Sequence, residues 1–170
     1  MIRRAELADV DRLAELRRTW SAEQYGSIDD AEFGKQFERW WEREFPRRVT
    51  WLAEVDGEPV GMLNLAVFER MPRPGQPPGN WGYLGNAFGL YRYRNTGVGR
   101  RLRDAAVEHA RAEGFVRLVL APSERSVPFY RRAGFRPATS LLVLSLDDPT
   151  PIGDDRLEVD WTGLEAELEE

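Results

Sequence analysis

The chain has 170 residues, 42% hydrophobic and 31% charged, with a formal net charge of −5. This length suits one domain with a sizeable core, and the acidic balance excludes a broad basic surface for nucleic acid. With no cysteine and one histidine, His109, the chain has no disulfide, no cysteine nucleophile and no multi-histidine metal centre, so no metal is expected.

In chain order, residues 1–4 read as a short strand. A helix follows, opened by Asp9 and Asp11 and striped by Val10, Leu13, Leu16 and Trp20. A second helix is expected from Asp29, where Asp29 and Glu32 have capping-box spacing and Ile28 can staple onto Phe33. Its stripe of Phe33, Phe37, Trp40, Trp41 and Phe45 holds more aromatic surface than plain packing needs. Core packing accounts for most of these rings. Phe37, Trp40 and Trp41 are also candidates for lining a substrate pocket. Pro46 stops the helix. Val49, Trp51, Ala53 and Val55 alternate with Thr50, Leu52 and Glu54 as a strand. Asp56-Gly57 signals a tight hairpin, and residues 60–68 return as an apolar, central strand. Residues 69–80 are rich in proline and glycine and form a long loop, a kind often used functionally.

Residues 81–93 are the next strand. A glycine-rich turn then opens a helix to about Glu113, with Val98, Leu102, Ala106 and Ala110 at helical spacing and His109 as a surface residue. Gly114 stops that helix. Residues 115–120 form a strand that the helical crossover makes parallel to the previous one. Residues 123–133 form a short helix, and 135–138 and 140–146 are two closing strands. The domain is placed at residues 1–146. Residues 147–170 are an acidic, proline-containing C-terminal extension with Trp161 as an apolar anchor. No signal peptide and no membrane-length apolar run is seen, so the expectation is a cytoplasmic protein without a membrane partner.

The chemistry concentrates at Arg94-Asn95-Thr96-Gly97-Val98-Gly99-Arg100. Glycines at a strand-to-helix turn let a bound group approach the backbone. The first N–H groups of the helix lack internal partners, and the helix dipole adds positive charge. Such a turn suits phosphate or pyrophosphate, although on its own it is equally a tight turn and nothing more. It lies at the carboxyl end of a middle strand, where open sheets bind ligands.

The element order, together with Arg94-x-x-Gly97-x-Gly99, resembles the GNAT-type N-acetyltransferase superfamily. Phe129-Tyr130-Arg131-Arg132-Ala133-Gly134-Phe135 is similar to that family's second conserved segment. The resemblance covers about residues 1–146. It implies an α/β fold with a mixed, mostly antiparallel, six- to seven-stranded twisted sheet flanked by about four helices. It also implies transfer of an acetyl group from acetyl-CoA, as co-substrate, to a primary amine of a small molecule or peptide. The backbone of Arg94, Asn95, Thr96, Gly97, Val98, Gly99 and Arg100 would hold the pyrophosphate. The strand at Ala87, Phe88 and Gly89 would pair with the pantetheine arm, splaying from its parallel neighbour. An N–H near Gly89 would polarise the thioester carbonyl, and Tyr130 would protonate the departing thiolate. The acceptor side would come from Phe37, Trp40, Trp41 and residues 71–80. A homodimer is allowed for.

The chain departs from the family pattern twice. Ser123 stands where many relatives carry asparagine at the start of the last helix; it can still bond the CoA arm. Tyr83 stands where some relatives carry a glutamate base. Glu54 and Glu69 are the alternatives, each equally a solvated strand-edge acid, and the base is unassigned. Tyr130 could also be a packing residue. Two competing classes follow: an acyl-CoA-binding sensor without turnover, and a nucleotide phosphotransferase. The second lacks the Gly-x-x-x-x-Gly-Lys loop it needs, since the one lysine is Lys35.

Overall fold

The computed structural model describes residues 1–27, 29–77, 79–139 and 141–144. They form two compact units, Met1–Ala121 and the residues from Pro122 onward. The first unit carries one five-stranded sheet whose order follows the chain. Its strands are β1 (Ile2–Arg4), β2 (Arg48–Val55), β3 (Glu58–Glu69), β4 (Asn80–Gly89) and β5 (Arg117–Val119). The first three pairings are antiparallel and the last is parallel. A parallel step needs a crossover, and α3 (Val98–Ala112) supplies it. Helices α1 (Val10–Tyr25) and α2 (Phe33–Glu44) join β1 to β2. The Asp56-Gly57 turn has φ of 52° and 82°, the pair of positive values a two-residue hairpin needs.

Alternation along each strand decides which helix each face meets. Leu52, Met62 and Phe88 pack with Leu13 and Leu16 of α1 and Trp41 of α2. Trp51 turns to the other face and meets the ring of His109 on α3 at 5.6 Å. Both faces are thus covered, so Thr50, Trp51, Leu52, Ala53 and Glu54 are all buried rather than alternately exposed. Val98, Leu102, Ala106 and Ala110 are buried, as their spacing predicts. Each fully enclosed Leu of this core contributes about 1.5–3 kcal/mol by burial.

A charged cluster fixes β1 to its neighbours. Arg3 donates to both oxygens of Asp9 at 2.7 Å, and to Glu54 Oε1 at 2.8 Å. Arg12 donates to the same Glu54 oxygen at 2.8 Å. The bond from Arg3 holds the Asp9 carboxyl below its ordinary value against the opposing effect of burial. Glu54, a candidate base, is therefore already held by two guanidinium groups.

Several expectations are corrected. The sheet has five strands among the described residues, not six to seven. Residues 135–138 and 141–144 have strand-like composition but form no strand; a strand needs a neighbour to complete its ladder. Leu142, Val143 and Leu144 are exposed instead. Strand β4 ends at Gly89, and Tyr91–Tyr93 is a 3-10 turn. Helix α2 starts at Phe33, and the Glu32 N–H bonds Asp30 Oδ1 rather than joining Asp29 in a capping box. Ile28, the domain end at residue 146 and the 147–170 extension with Trp161 lie outside the described residues. No described helix is long and apolar enough to cross a membrane.

His109 is not a surface residue. Its side chain is only 9% exposed. Its Nδ1 lies 2.6 Å from the Arg4 guanidinium, and Trp51 and Phe115 flank the ring. Burial pushes its pKa below the ordinary histidine value, and the Arg4 charge pushes the same way. The unfolded chain therefore takes up this proton first as pH falls. The stability from neutral His109 is complete above about pH 6.5 and declines as pH drops through the lower folded value. No other side chain has an ordinary pKa in this window. Denaturant midpoints should fall between about pH 7.5 and about pH 5.5, and His109→Gln should flatten that fall. A flat profile in the unmodified chain would overturn this account.

Candidate active site

The site begins where β4 leaves β5. The two strands pair only as Trp81 with Arg117, Gly82 with Leu118 and Tyr83 with Val119. Beyond Tyr83, β4 has no strand partner on that edge among the described residues. On its other edge it stays paired with β3 as far as Gly61 with Gly89. The register shifts between Met62 and Asn64, so β4 carries an extra residue there. Asn86 sits at this bulge with φ of 52°, a left-handed conformation that asparagine tolerates. Leu90 donates its N–H to Val60 O at 2.9 Å. Successive strand N–H groups alternate sides, which turns the Gly89 N–H toward the open edge. The Phe88 ring is buried against Trp20 at 5.8 Å, and its carbonyl faces Gly61 of β3. Ala87 is exposed.

Past the 3-10 turn, Asn95 and Gly97 adopt φ of 64° and 88° and aim the chain into α3. Thr96 Oγ1 donates to Tyr93 O at 2.7 Å and braces this turn. The Arg101 N–H bonds Gly97 O at 3.0 Å, so the N–H groups of Val98, Gly99 and Arg100 precede the first helical bond. No side chain caps them. The Val98 side chain is buried, whereas Gly99 and Arg100 are exposed. Arg94 does not project freely. Its Nε donates to Gly89 O at 3.0 Å, and its terminal nitrogen pairs with Glu23 of α1. That guanidinium thus ties the end of β4 to α1.

A cavity of about 230 Å³ meets the bulge at Asn86. Its walls bring together Phe37, Trp40 and Trp41, the three rings expected at the acceptor side, and Phe33 joins them. None of the described residues of 71–80 lines it; Glu69 pairs with Asn80 at the far end of the β3–β4 ladder. Leu13, Arg17, Thr50, Met62, Asn64 and Asn86 complete the lining. Of these, Asn64 had a visible sequence signal, a lone polar side chain inside an apolar strand. It donates to Thr50 Oγ1 at 2.7 Å and accepts from Arg48 at 3.0 Å. No carboxylate is among the lining residues. Glu69 lies exposed at the far end of β3, paired with Asn80. No described group of acidic or histidine residues could hold a metal ion.

Ser123 and Tyr130 belong to the second unit. Ser123 O accepts the N–H of Ser126 at 2.8 Å, starting the 3-10 turn Glu124–Ser126 that precedes α4 (Val127–Arg131). Tyr130 is buried, its ring edge-on to Phe129 at 5.0 Å and to Phe135 at 5.5 Å.

Solved structures share this fold. A curated relative, the glucosamine 6-phosphate N-acetyltransferase of Trypanosoma brucei brucei, is 31% identical over 80 residues, 47% of this chain and 52% of the relative. The chain thus matches about half the length of that relative. A predicted acetyltransferase from Clostridium acetobutylicum, crystallised with acetyl-CoA, superposes with a TM-score of 0.70 at 22% identity over 86% of this chain and 96% of its own. The glucosamine-6-phosphate N-acetyltransferase of Arabidopsis thaliana gives 0.68 at 18% identity, over 87% and 98%. At these identities the structural matches establish the fold. The profile of the Acetyltransferase (GNAT) family matches residues 11–135, and the chain belongs to that family.

Proposed function

We propose that the chain is an N-acetyltransferase that moves the acetyl group of acetyl-CoA to a primary amine of a small molecule or peptide. The open edge of β4 carries this reading. It runs from the Asn86 bulge to Gly89, beside an amine-sized cavity and ahead of a cationic helix N-terminus. Acetyl-CoA fits these groups. Its diphosphate suits the N–H groups of Val98, Gly99 and Arg100, and its amide-bearing arm suits a strand edge. Ser123 is a further candidate contact for the arm. The structural neighbour crystallised with acetyl-CoA supports the same assignment.

In this reading the backbone of Ala87, Phe88 and Gly89 aligns the thioester along β4. The Gly89 N–H donates to the carbonyl oxygen as negative charge builds there; a fixed donor of this kind is a large term in acyl transfer. The amine attacks the carbonyl carbon, the C–N bond forms and the C–S bond breaks. The Tyr130 hydroxyl gives its proton to the departing thiolate, and no protein nucleophile is required. The cavity offers no carboxylate, and Arg17 makes its field positive, so an ammonium is disfavoured and the amine enters as the free base. Log kcat/KM should therefore rise with unit slope as pH approaches the amine's own pKa. A plateau set well below that pKa would point to a protein base.

Two variants test the assignment. A glutamate in the first turn of a helix favours the helix dipole, so Gly99→Glu should fold. It should nonetheless abolish acetyl-CoA binding by placing a carboxylate in the diphosphate position. Unchanged affinity by titration calorimetry would remove this turn from the site. Tyr130→Phe keeps the ring between Phe129 and Phe135. The acetyl-transfer step should slow by about 10²–10⁴-fold, toward the lower figure because a thiolate is a good leaving group. If single-turnover transfer is unaffected, Tyr130 is a packing residue. Tight acetyl-CoA binding without transfer to any amine would favour a sensor instead.

A further inference from the structure

Resting on that proposed function, we infer that the acceptor is an amino acid with an apolar, aromatic-sized side chain, and that Arg17 binds its carboxylate. The cavity is small, about 230 Å³. Drug-sized ligands typically occupy about 300–1,000 Å³, so a small metabolite fits better than a large amine drug. Phe33, Phe37, Trp40 and Trp41 make most of its wall aromatic.

Arg17 is the one charged residue in the lining. Its neighbours in sequence and space are paired: Arg12 with Glu54, Arg18 with Glu15, Arg48 with Glu44 and Arg94 with Glu23. Arg17 has no carboxylate partner among the described residues; its guanidinium lies over the Trp20 ring at 4.6 Å. A half-buried cation on an apolar wall calls for an anion from the ligand. The same charge repels polyamines and aminoglycosides, which bring several ammonium groups and no acid.

The acid could come from a carboxylate or a phosphate, and the other polar groups discriminate. Thr50 and Asn64 bond each other, and Arg48 takes the remaining Asn64 oxygen. Asn86 is then the one lining amide not engaged by another side chain among the described residues, and it stands at the bulge where the amine must reach. A hexosamine phosphate would bury several hydroxyls against few free partners, which is costly. An apolar amino acid leaves no such groups unpaired. Its carboxylate meets Arg17, its amine meets the Asn86 carbonyl oxygen, and its side chain meets the rings.

The test compares four amines by kcat/KM with acetyl-CoA: phenylalanine, 2-phenylethylamine, glucosamine 6-phosphate and spermidine. Phenylalanine should lead, with 2-phenylethylamine about 10- to 100-fold behind, the scale of one charge-assisted hydrogen bond. Arg17→Ala should collapse the ratio of the first two toward unity through KM, and Arg17→Lys should restore part of it. Thermal midpoints confirm that the variants fold. Calorimetric titration of phenylalanine into the CoA-bound protein reads acceptor binding without turnover. Binding that depends on Arg17, with no acetyl transfer, would sustain Arg17 as the carboxylate site and sink the enzyme reading. Transfer to glucosamine 6-phosphate or 2-phenylethylamine in preference to phenylalanine would sustain the enzyme and overturn the inference. So would a phenylalanine preference that Arg17→Ala leaves intact.

Discussion

The site depends on one constraint, the parting of β4 from β5. A sheet strand ordinarily satisfies backbone groups on both edges. Here β5 is three residues long and accompanies β4 only to Tyr83. The rest of β4 keeps its β3 ladder and presents the other edge. Two features stabilise that posture. The bulge at Asn86 bends β4 without breaking its pairing to β3. Gly61 permits the close approach beyond the bulge, since a Cβ there would stand 2.8 Å from the Phe88 carbonyl oxygen. An open edge is normally a hazard for strand-to-strand association. It is tolerable here because it is short and bent, and because a cationic turn follows it.

Helix α1 connects the two halves of the site. Its start is fixed by the Arg3, Asp9, Glu54 and Arg12 cluster, which joins β1, the helix N-terminus and β2. Its middle contributes Leu13 and Arg17 to the cavity wall. Near its end, Glu23 holds Arg94, whose Nε bonds the Gly89 carbonyl. A shift of α1 would therefore be felt both at the cavity and at the end of the strand edge. Removing Arg3 would leave the buried Asp9 carboxylate without its cation, which is more damaging than losing an exposed pair.

Much of this organisation was legible in the sequence. The hairpin at Asp56-Gly57, the central β3, the Gly97 turn and the α3 stripe each rest on local chemistry, and local chemistry decided them. The rings Phe37, Trp40 and Trp41 were legible as pocket candidates because they exceed what packing one helix face needs. The misses are non-local. Strand composition at 135–138 and 141–144 could not say whether a partner edge exists. His109 looked solvated because its helix neighbours are charged; Arg4, Trp51 and Phe115, distant in sequence, enclose it. Asn86 resembled any strand residue, since a bulge is a mismatch between two strands and leaves no mark on one. Arg17 was one arginine among many, and its lack of an acidic partner is visible only once Arg12, Arg18, Arg48 and Arg94 are seen paired.

The pattern of pairing also separates two kinds of charge. Arginines that hold the fold together are matched to acids, as at Glu54, Glu44 and Glu23. Arg100 in the first turn of α3 and Arg17 in the cavity are among those with no acid partner among the described residues. A chain with net charge −5 has carboxylates enough to neutralise both. For Arg17, half-buried against an apolar wall, the lack of an acid partner is electrostatically unfavourable in the ligand-free protein. An anionic group on a bound ligand would relieve it. Under the proposed function, binding interactions of that kind, remote from the chemistry, would orient the reacting carbon, which is how a site without a protein nucleophile could still accelerate acyl transfer.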